Sequence, residues 1–332
     1  MISTNHNATN NTHTEGTAPK GPVTEVPELC KDASAQEVED ALKLAGCCLI
    51  RNFVSKDIID QINSECRPTL EQDGAWEGSF FPKETRRAYG LVGLSPTWVN
   101  NVLMHPVYQK VCTRFLTIRH WNWSGNRKLW ATSRPIINAT SCFSIRPGSK
   151  AQELHRDDTV HHNRIEAVDV YPEDLSPSAP KRETSLALFL AGTKATKENG
   201  ATECIPGSHL WSSERMPNAD GVRYAAMEPG DAFLMLGSTY HAGGQNTTKD
   251  SERLIHATFM CRGILRSEEN QFLTIPIETM KERSPAVQKI TGYSVSEPFC
   301  GWVGLSDPRR LLDPTVPAYS DHQGALEDIP DE

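Results

Sequence analysis

The chain has 332 residues, of which 34 are Lys or Arg and 42 are Asp or Glu, giving a formal net charge of −8. This acidic balance disfavours a nucleic-acid-binding protein, which usually carries a basic surface. No apolar run approaches the roughly 20 residues that span a bilayer, so we expect no membrane partner. Hydrophobic residues make up 38% of the chain, enough for a core of ordinary size.

The two ends of the chain differ in composition from the middle. Residues 1–26 are rich in Asn and Thr and poor in large apolar residues, which predicts a disordered tail without the apolar core of a secretion signal. Residues 312–332 carry prolines and a cluster of acids, which predicts an acidic tail. The nine cysteines are odd in number and show no CxxC spacing, so we expect reduced thiols and a cytoplasmic protein.

Helical signals come first in the region between the tails. Ser34 and Glu37 have the spacing of a capping box, and the apolar residues that follow recur at helical spacing until Gly46. A short strand is expected at 47–51, and Ser55 is expected to cap a second helix that Pro68 stops or bends. Residues 96–116 also have a helical pattern.

The pattern changes after about residue 127. Short β-rich segments bounded by Gly or Pro occur without long helices between them, at 138–148, 184–192, 201–207, 230–237 and 253–263. This favours an antiparallel sandwich or barrel with flanking helices over parallel βαβ units. The Trp-rich stretch 119–130 is interpreted as core or interface packing, although one Trp could line a pocket.

Three features in the β-rich half could bind a metal and an anion. His155 and Asp157 are separated by one residue, so an extended backbone would point both side chains the same way. His241 follows a strand at a turn, and Arg253 begins the next strand. Each alone has an ordinary structural explanation: a chance His-x-Asp triplet, a hydrogen-bonded turn histidine and a surface arginine. Together they match the two-histidine, one-carboxylate triad of non-haem iron oxygenases, with an arginine to hold a carboxylate.

Four motifs in the same order make the chain resemble the phytanoyl-CoA dioxygenase superfamily, and in particular its fungal secondary-metabolism branch. They are QELHRDD (152–158), ENGATECIPGSH (198–209), EPGDAFLML (228–236) and YHAGGQN with SERLIHATF (240–259). The resemblance extends over roughly 35–310. It implies a mainly β protein with flanking helices, in which a double-stranded β-helix (a cupin-like jelly roll) forms one domain, 27–311.

The resemblance also implies a cofactor and roles for six residues. His155, Asp157 and His241 would bind Fe(II), and Arg253 would hold the far carboxylate of the co-substrate 2-oxoglutarate. Gln152 would contact the other carboxylate, and Thr202 would place a hydroxyl near Arg253, unless it only stabilises its strand. The implied reaction uses O₂ and releases succinate and CO₂ while a C–H bond of a small molecule is hydroxylated, desaturated or oxidatively cyclised.

Two other functions stay open at this stage. The same fold could be a non-catalytic or differently metallated binding protein, or it could oxidise a protein or nucleic acid. The intact set of His155, Asp157, His241 and Arg253 disfavours the first, and the net charge disfavours a nucleic-acid substrate. Members of the fungal branch often pair, so the resemblance also implies a homodimer.

Overall fold

The computed structural model describes residues 23–78 and 80–318. Their strands are β1 (Glu28–Leu29), β2 (Cys47–Ile50), β3 (Thr85–Tyr89), β4 (Ile118–Ser124), β5 (Arg127–Ser133), β6 (Ile136–Ile145), β7 (Ser185–Ala191), β8 (Thr202–Cys204), β9 (Arg223–Ala225), β10 (Ala232–Leu236), β11 (His241–Ala242) and β12 (Arg253–Cys261). Their α-helices are α1 (Ala35–Ala45), α2 (Lys56–Gln72), α3 (Leu91–Leu94), α4 (Pro96–Trp98), α5 (Pro106–Leu116), α6 (Gln271–Thr274), α7 (Ile277–Lys281) and α8 (Pro285–Ile290).

The strands form a large sheet, a small sheet and a hairpin. The large sheet has the order β1-β2-β10-β7-β12-β6-β3, the small sheet has the order β11-β8-β9, and β4 pairs with β5. Every pairing between these strands is antiparallel except that of β1 with β2. This is the predicted mainly β jelly roll with flanking helices. The segments predicted as β-rich contain β6, β7, β8, β10 and β12.

The central strands of the large sheet are apolar on both faces, because each face packs against a different layer. On β7, Leu186, Leu188 and Leu190 join the core beneath the helices, while Ala187 and Phe189 face the small sheet. This alternation follows from the two-residue period of a strand. The large sheet therefore has a helix-covered face and an inner face, and the inner face carries the candidate site.

The helices brace the other face of the large sheet. α1 begins with the predicted capping box between Ser34 and Glu37 and ends at Gly46, whose φ of 76° is in the left-handed region. Of the two effects predicted for Pro68, stopping α2 or bending it, the first is wrong, since α2 continues to Gln72 and buries Leu70. A proline removes only one backbone donor, and the apolar contacts of the last turn hold the helix together.

The predicted helix at 96–116 is interrupted. α4 continues into a π-helical turn, Val99–Leu103, and α5 starts only at Pro106. Pro106 restricts His105 to an extended conformation, which ends the first helical segment and begins the second.

The Trp-rich stretch, for which core or interface packing was predicted, forms the hairpin of β4 and β5. Trp121 and Trp123 lie outside the core, so the first alternative is wrong for them, and the second stays a prediction. Trp121 and Trp123 alternate with polar residues and are 44% and 64% exposed. The amine of Lys128 lies 3.7 Å from the centre of the Trp121 ring, so this face is partly stabilised by a cation–π contact.

The ends of the chain are described only in part. Most of the predicted tail 1–26 and of the predicted tail 312–332 lies outside the described residues. Of the described part, Val23 and Val26 pack against the inner core. No helix within 23–78 and 80–318 is long and apolar enough to cross a membrane.

Candidate active site

The predicted triad comes together at the edge of the small sheet. His241 begins β11, where it pairs with Cys204 of β8, and His155 forms an isolated antiparallel bridge with His241. Asp157 follows at the start of a 3₁₀ turn. Arg156 lies between them, but its side chain turns away to donate to the carbonyl oxygen of Ser208 at 2.9 Å. The one-residue spacing thus places His155 and Asp157 on the same side, as predicted.

The two imidazole rings are held so that one nitrogen of each faces the carboxylate. The Nδ1 of His155 lies 2.8 Å from the carbonyl oxygen of Glu153, and the Nδ1 of His241 lies 3.2 Å from that of Thr239. A carbonyl oxygen only accepts, so each Nδ1 carries the proton and each Nε2 keeps its lone pair. The Nε2 atoms lie 3.8 Å (His155) and 3.4 Å (His241) from Oδ1 of Asp157.

The electrostatics of this cluster suit a divalent cation. Burial lowers the pKa of His241 to about 3, so its ring stays neutral, which a metal ligand requires. Burial raises the pKa of Asp157 to about 6, and its Oδ2 atom is buried without a hydrogen-bond partner among the described residues. A cation would stabilise this carboxylate and use the unpaired oxygen. The three side chains therefore fit an Fe(II) ion with two nitrogen ligands and one oxygen ligand.

Arg253 lies on the inner face of β12 and is 3% exposed. It donates to the carbonyl oxygen of Gly200, while its Nε is buried with no hydrogen-bond partner in the part of the chain that the structure describes. Burial lowers the pKa of Arg253 to about 10, so the guanidinium remains charged at neutral pH. No carboxylate of the described residues pairs with it, which leaves its charge to an anionic ligand.

Gln152 and Thr202 line the same cavity as Arg253. The Oε1 atom of Gln152 accepts from the backbone N–H of Gly243 at 2.9 Å, so its amide nitrogen is available to donate to a carboxylate. The glycine at 243 leaves room for this contact, since a Cβ atom there would lie 2.8 Å from that Oε1 and would push the Gln152 side chain aside. Thr202 is 4% exposed at the start of β8.

These residues share one cavity of about 720 Å³. Aromatic residues form much of its wall: Trp76, Phe80, Phe81, Tyr89, Phe143, Phe189 and Phe259. The ring of Phe80 meets that of His155 edge to face, with 5.6 Å between centroids, so the segment before β3 covers the triad. Such a cavity suits a mainly apolar molecule beside the metal ligands.

Sequence reasoning missed two parts of this site. The aromatic cover at 76–81 shows no periodicity, and Glu268, which also lines the cavity, lies in the loop after β12. His209 is buried outside this site, where its Nε2 lies 2.9 Å from the carbonyl oxygen of Lys43, a residue distant in sequence.

His256 faces away from the cavity, as its position on β12 predicts. Its Nε2 lies 2.8 Å from Oδ1 of Asn63 on α2, and it is buried with Cys66 and Cys142 on the helix-covered face.

The chain is similar to known proteins over most of its length. The family model "Phytanoyl-CoA dioxygenase (PhyH)" matches residues 42–254. The chain is 38% identical to the dioxygenase peniF of Penicillium patulum over 88% of this chain and 92% of that protein. It is 34% identical to the dioxygenase himG of Aspergillus japonicus, with the same two coverages, 88% and 92%.

The likeness extends to a solved structure. The non-haem α-ketoglutarate-dependent carbocyclase SnoK from nogalamycin biosynthesis aligns with a TM-score of 0.51 and 16% identity, covering 76% of this chain and 92% of SnoK. At this identity the likeness supports the fold alone.

The fold, the residues of the site and the similarity to these relatives show that the chain is a non-haem oxygenase that uses Fe(II) and 2-oxoglutarate. The chain belongs to the phytanoyl-CoA dioxygenase family.

Proposed function

We propose that His155, Asp157 and His241 hold the iron of an oxygenase that oxidises a C–H bond of a small secondary metabolite. The observation that carries this proposal is the convergence of the two Nε2 atoms and the Asp157 carboxylate, with each Nδ1 bound to a backbone carbonyl. Iron with 2-oxoglutarate supplies the O₂-dependent oxidation, and succinate and CO₂ are released. A halogenase of this type would lack the carboxylate and bind chloride in its place. Because Asp157 is present, we expect oxygenation and not halogenation.

The rest of the cavity is proposed to bind 2-oxoglutarate. Arg253 pairs with the far carboxylate, and Thr202 places its hydroxyl on the same side. Gln152 donates its amide N–H to the carboxylate nearer the metal, while its carbonyl oxygen stays with Gly243. The unpaired charge of Arg253 supports this assignment, because a buried cation requires an anion in the bound state.

The apolar wall is proposed to hold the substrate and to exclude water. Phe80 and its neighbours cover the triad, so a substrate placed against them has a C–H bond next to the metal and little bulk water around it. Hydroxylation, desaturation and oxidative cyclisation all require a C–H bond held next to the metal in this way.

We also propose one jelly-roll domain, 27–311, between the two tails, in a cytoplasmic homodimer. The exposed Trp121 and Trp123 of the hairpin support a subunit contact, because large apolar side chains grouped on a surface are typical of interfaces. All nine cysteines lie in the described residues and are free, which supports a reducing compartment.

The test is O₂-dependent conversion of 2-oxoglutarate to succinate by protein loaded with Fe(II) under anaerobic conditions. Wild type should release succinate on exposure to air, and Asp157→Ala should not. His162→Asn is the matched control, because His162 is exposed outside the cavity with a φ of 53°, which Asn tolerates. Absence of turnover in the wild type with every divalent metal tried would refute the proposed function.

A further inference from the structure

The cavity contains a carboxylate that neither the metal site nor the co-substrate site uses. Glu268 lies in the loop after β12 and lines the cavity that holds the triad. Glu268 keeps an exposed surface, but partial desolvation of its carboxylate raises its pKa, and the charge of Asp157 raises that pKa further. Glu268 also lines a neighbouring cavity of about 1010 Å³, so it stands where the two spaces meet.

The fold holds Glu268 in place. Its backbone N–H donates to Oδ1 of Asn138 on β6 at 2.9 Å, and the next residue, Glu269, donates its N–H to the Asn138 carbonyl at 2.9 Å. The Ser267 hydroxyl donates to the Ile137 carbonyl at 2.7 Å. These three bonds fix the backbone of the loop, and therefore the point from which the Glu268 side chain extends into the cavity.

The carboxylate of Glu268 is poorly satisfied by the protein itself. Its only hydrogen bond given by the described residues comes from Nδ2 of Asn138, at 3.4 Å, and no ion pair joins it to a Lys or Arg there. Glu269 differs, because its carboxylate accepts from the N–H groups of Gly90 and Thr140 and from the Gln271 amide. Glu269 is thus a structural residue, and Glu268 is available to a ligand.

The charges in the cavity with Fe(II) and 2-oxoglutarate bound also favour a ligand at Glu268. With Fe(II) and the 2-oxoglutarate dianion present, the charges of the metal, Asp157, Arg253 and the co-substrate cancel. Lys150 is an exposed residue on the cavity rim. Of the other charged residues that line the cavity, Lys150 contributes one positive charge and Glu268 and Glu269 contribute two negative charges, so a net negative charge remains beside the aromatic walls. Glu268 is itself exposed and its carboxylate is the less hydrogen-bonded of the two, so it is open to a cation through a charge-assisted hydrogen bond, and the ring faces favour the same ligand.

Building on the proposed function, we propose that the substrate carries a protonated amine on an apolar or aromatic skeleton, and that Glu268 binds the ammonium group. The ammonium would donate to the Glu268 carboxylate while the skeleton lies along the aromatic wall next to the triad. Glu268 would then select the substrate and orient it, without taking part in the oxidation.

The test compares three probes that share an indole body: tryptamine, a cation; tryptophol, which is neutral; and indole-3-propionate, an anion. Dissociation constants are measured anaerobically by calorimetry on protein loaded with Fe(II) and 2-oxoglutarate. We expect tryptamine to bind about tenfold or more tighter than tryptophol, in line with a hydrogen bond between charged groups. The anion should bind most weakly.

The decisive variant is Glu268→Gln, which keeps the shape and the contact with Asn138 but removes the charge. It should reduce the preference for tryptamine to near unity and improve binding of indole-3-propionate, while the affinity for 2-oxoglutarate stays unchanged. Glu282→Gln is the control, since Glu282 is exposed and lines neither cavity. The Glu282→Gln protein should prefer tryptamine over tryptophol to the same degree as wild type.

Three results would overturn the amine proposal: equal binding of tryptamine and tryptophol, a preference that survives Glu268→Gln, or binding of 2-oxoglutarate without binding of any probe. Failure of Fe(II) or 2-oxoglutarate to bind would instead refute the proposed function, so the two failures are distinguishable.

Discussion

Replacing Arg253 with Met should separate co-substrate binding from stability. Burial lowers the pKa of Arg253 from its ordinary value to about 10, which corresponds to a penalty of about 3 kcal/mol for the buried charge. Met removes that penalty and loses the hydrogen bond to Gly200, worth about 1 kcal/mol. The free energy of unfolding of the ligand-free protein should therefore stay the same or rise by up to about 2 kcal/mol.

The same substitution should almost abolish 2-oxoglutarate binding. Truncating one partner of a buried charge pair costs about 2–5 kcal/mol, which is a loss of affinity of about 30-fold to several thousandfold. Calorimetry with Fe(II)-loaded protein measures the affinity, and urea denaturation without ligand measures stability. Arg164→Met, which removes an exposed ion pair with Glu214, is the control. Wild-type affinity in Arg253→Met, or a large loss of stability, would refute the reasoning.

Other predictions concern the metal site, the co-substrate site and the fold. Iron must displace the proton of Asp157, whose pKa is raised to about 6, so Fe(II) affinity measured by titration should fall as pH falls below about 6. The stability of the metal-free protein should depend on pH in the opposite direction. Its folded state binds the Asp157 proton more tightly than the unfolded state does, so the free energy of unfolding measured by urea denaturation should rise as pH falls through about 6. Gly243→Ala should displace Gln152 and weaken 2-oxoglutarate binding in calorimetry, with Fe(II) binding intact. Ser34→Ala should lower the free energy of unfolding by about 1 kcal/mol, measured by urea denaturation, because α1 loses its capping hydrogen bond.

Local rules predicted much of the fold. The capping box of Ser34 with Glu37 and the left-handed Gly46 are encoded within a dozen residues, and the structure has both. The two-residue period of β12 also accounts for Arg253 and His256 lying on opposite faces of that strand. The continuation of α2 past Pro68 was not predictable in this way, since it depends on packing against distant elements.

The triad was predictable because its chemistry is carried by few residues in a fixed order. Glu268 was not, because its importance depends on where a loop is fastened to β6 by Asn138, a contact between residues 130 positions apart. For a related reason the sequence left core and interface packing open for the hairpin. Trp121 and Trp123 are large apolar residues of the kind found in cores, and it is the pairing of β4 with β5 that places them on the surface.

Anaerobic titration with Fe(II), followed by 2-oxoglutarate, tests the central claim most directly. We expect one iron per chain and, on addition of 2-oxoglutarate, the visible charge-transfer absorption of a chelated 2-oxo acid. Asp157→Ala and His241→Ala should lose both signals, while His162→Asn should keep them. Stoichiometric iron binding that survives in both Asp157→Ala and His241→Ala would place the metal elsewhere and contradict the assignment.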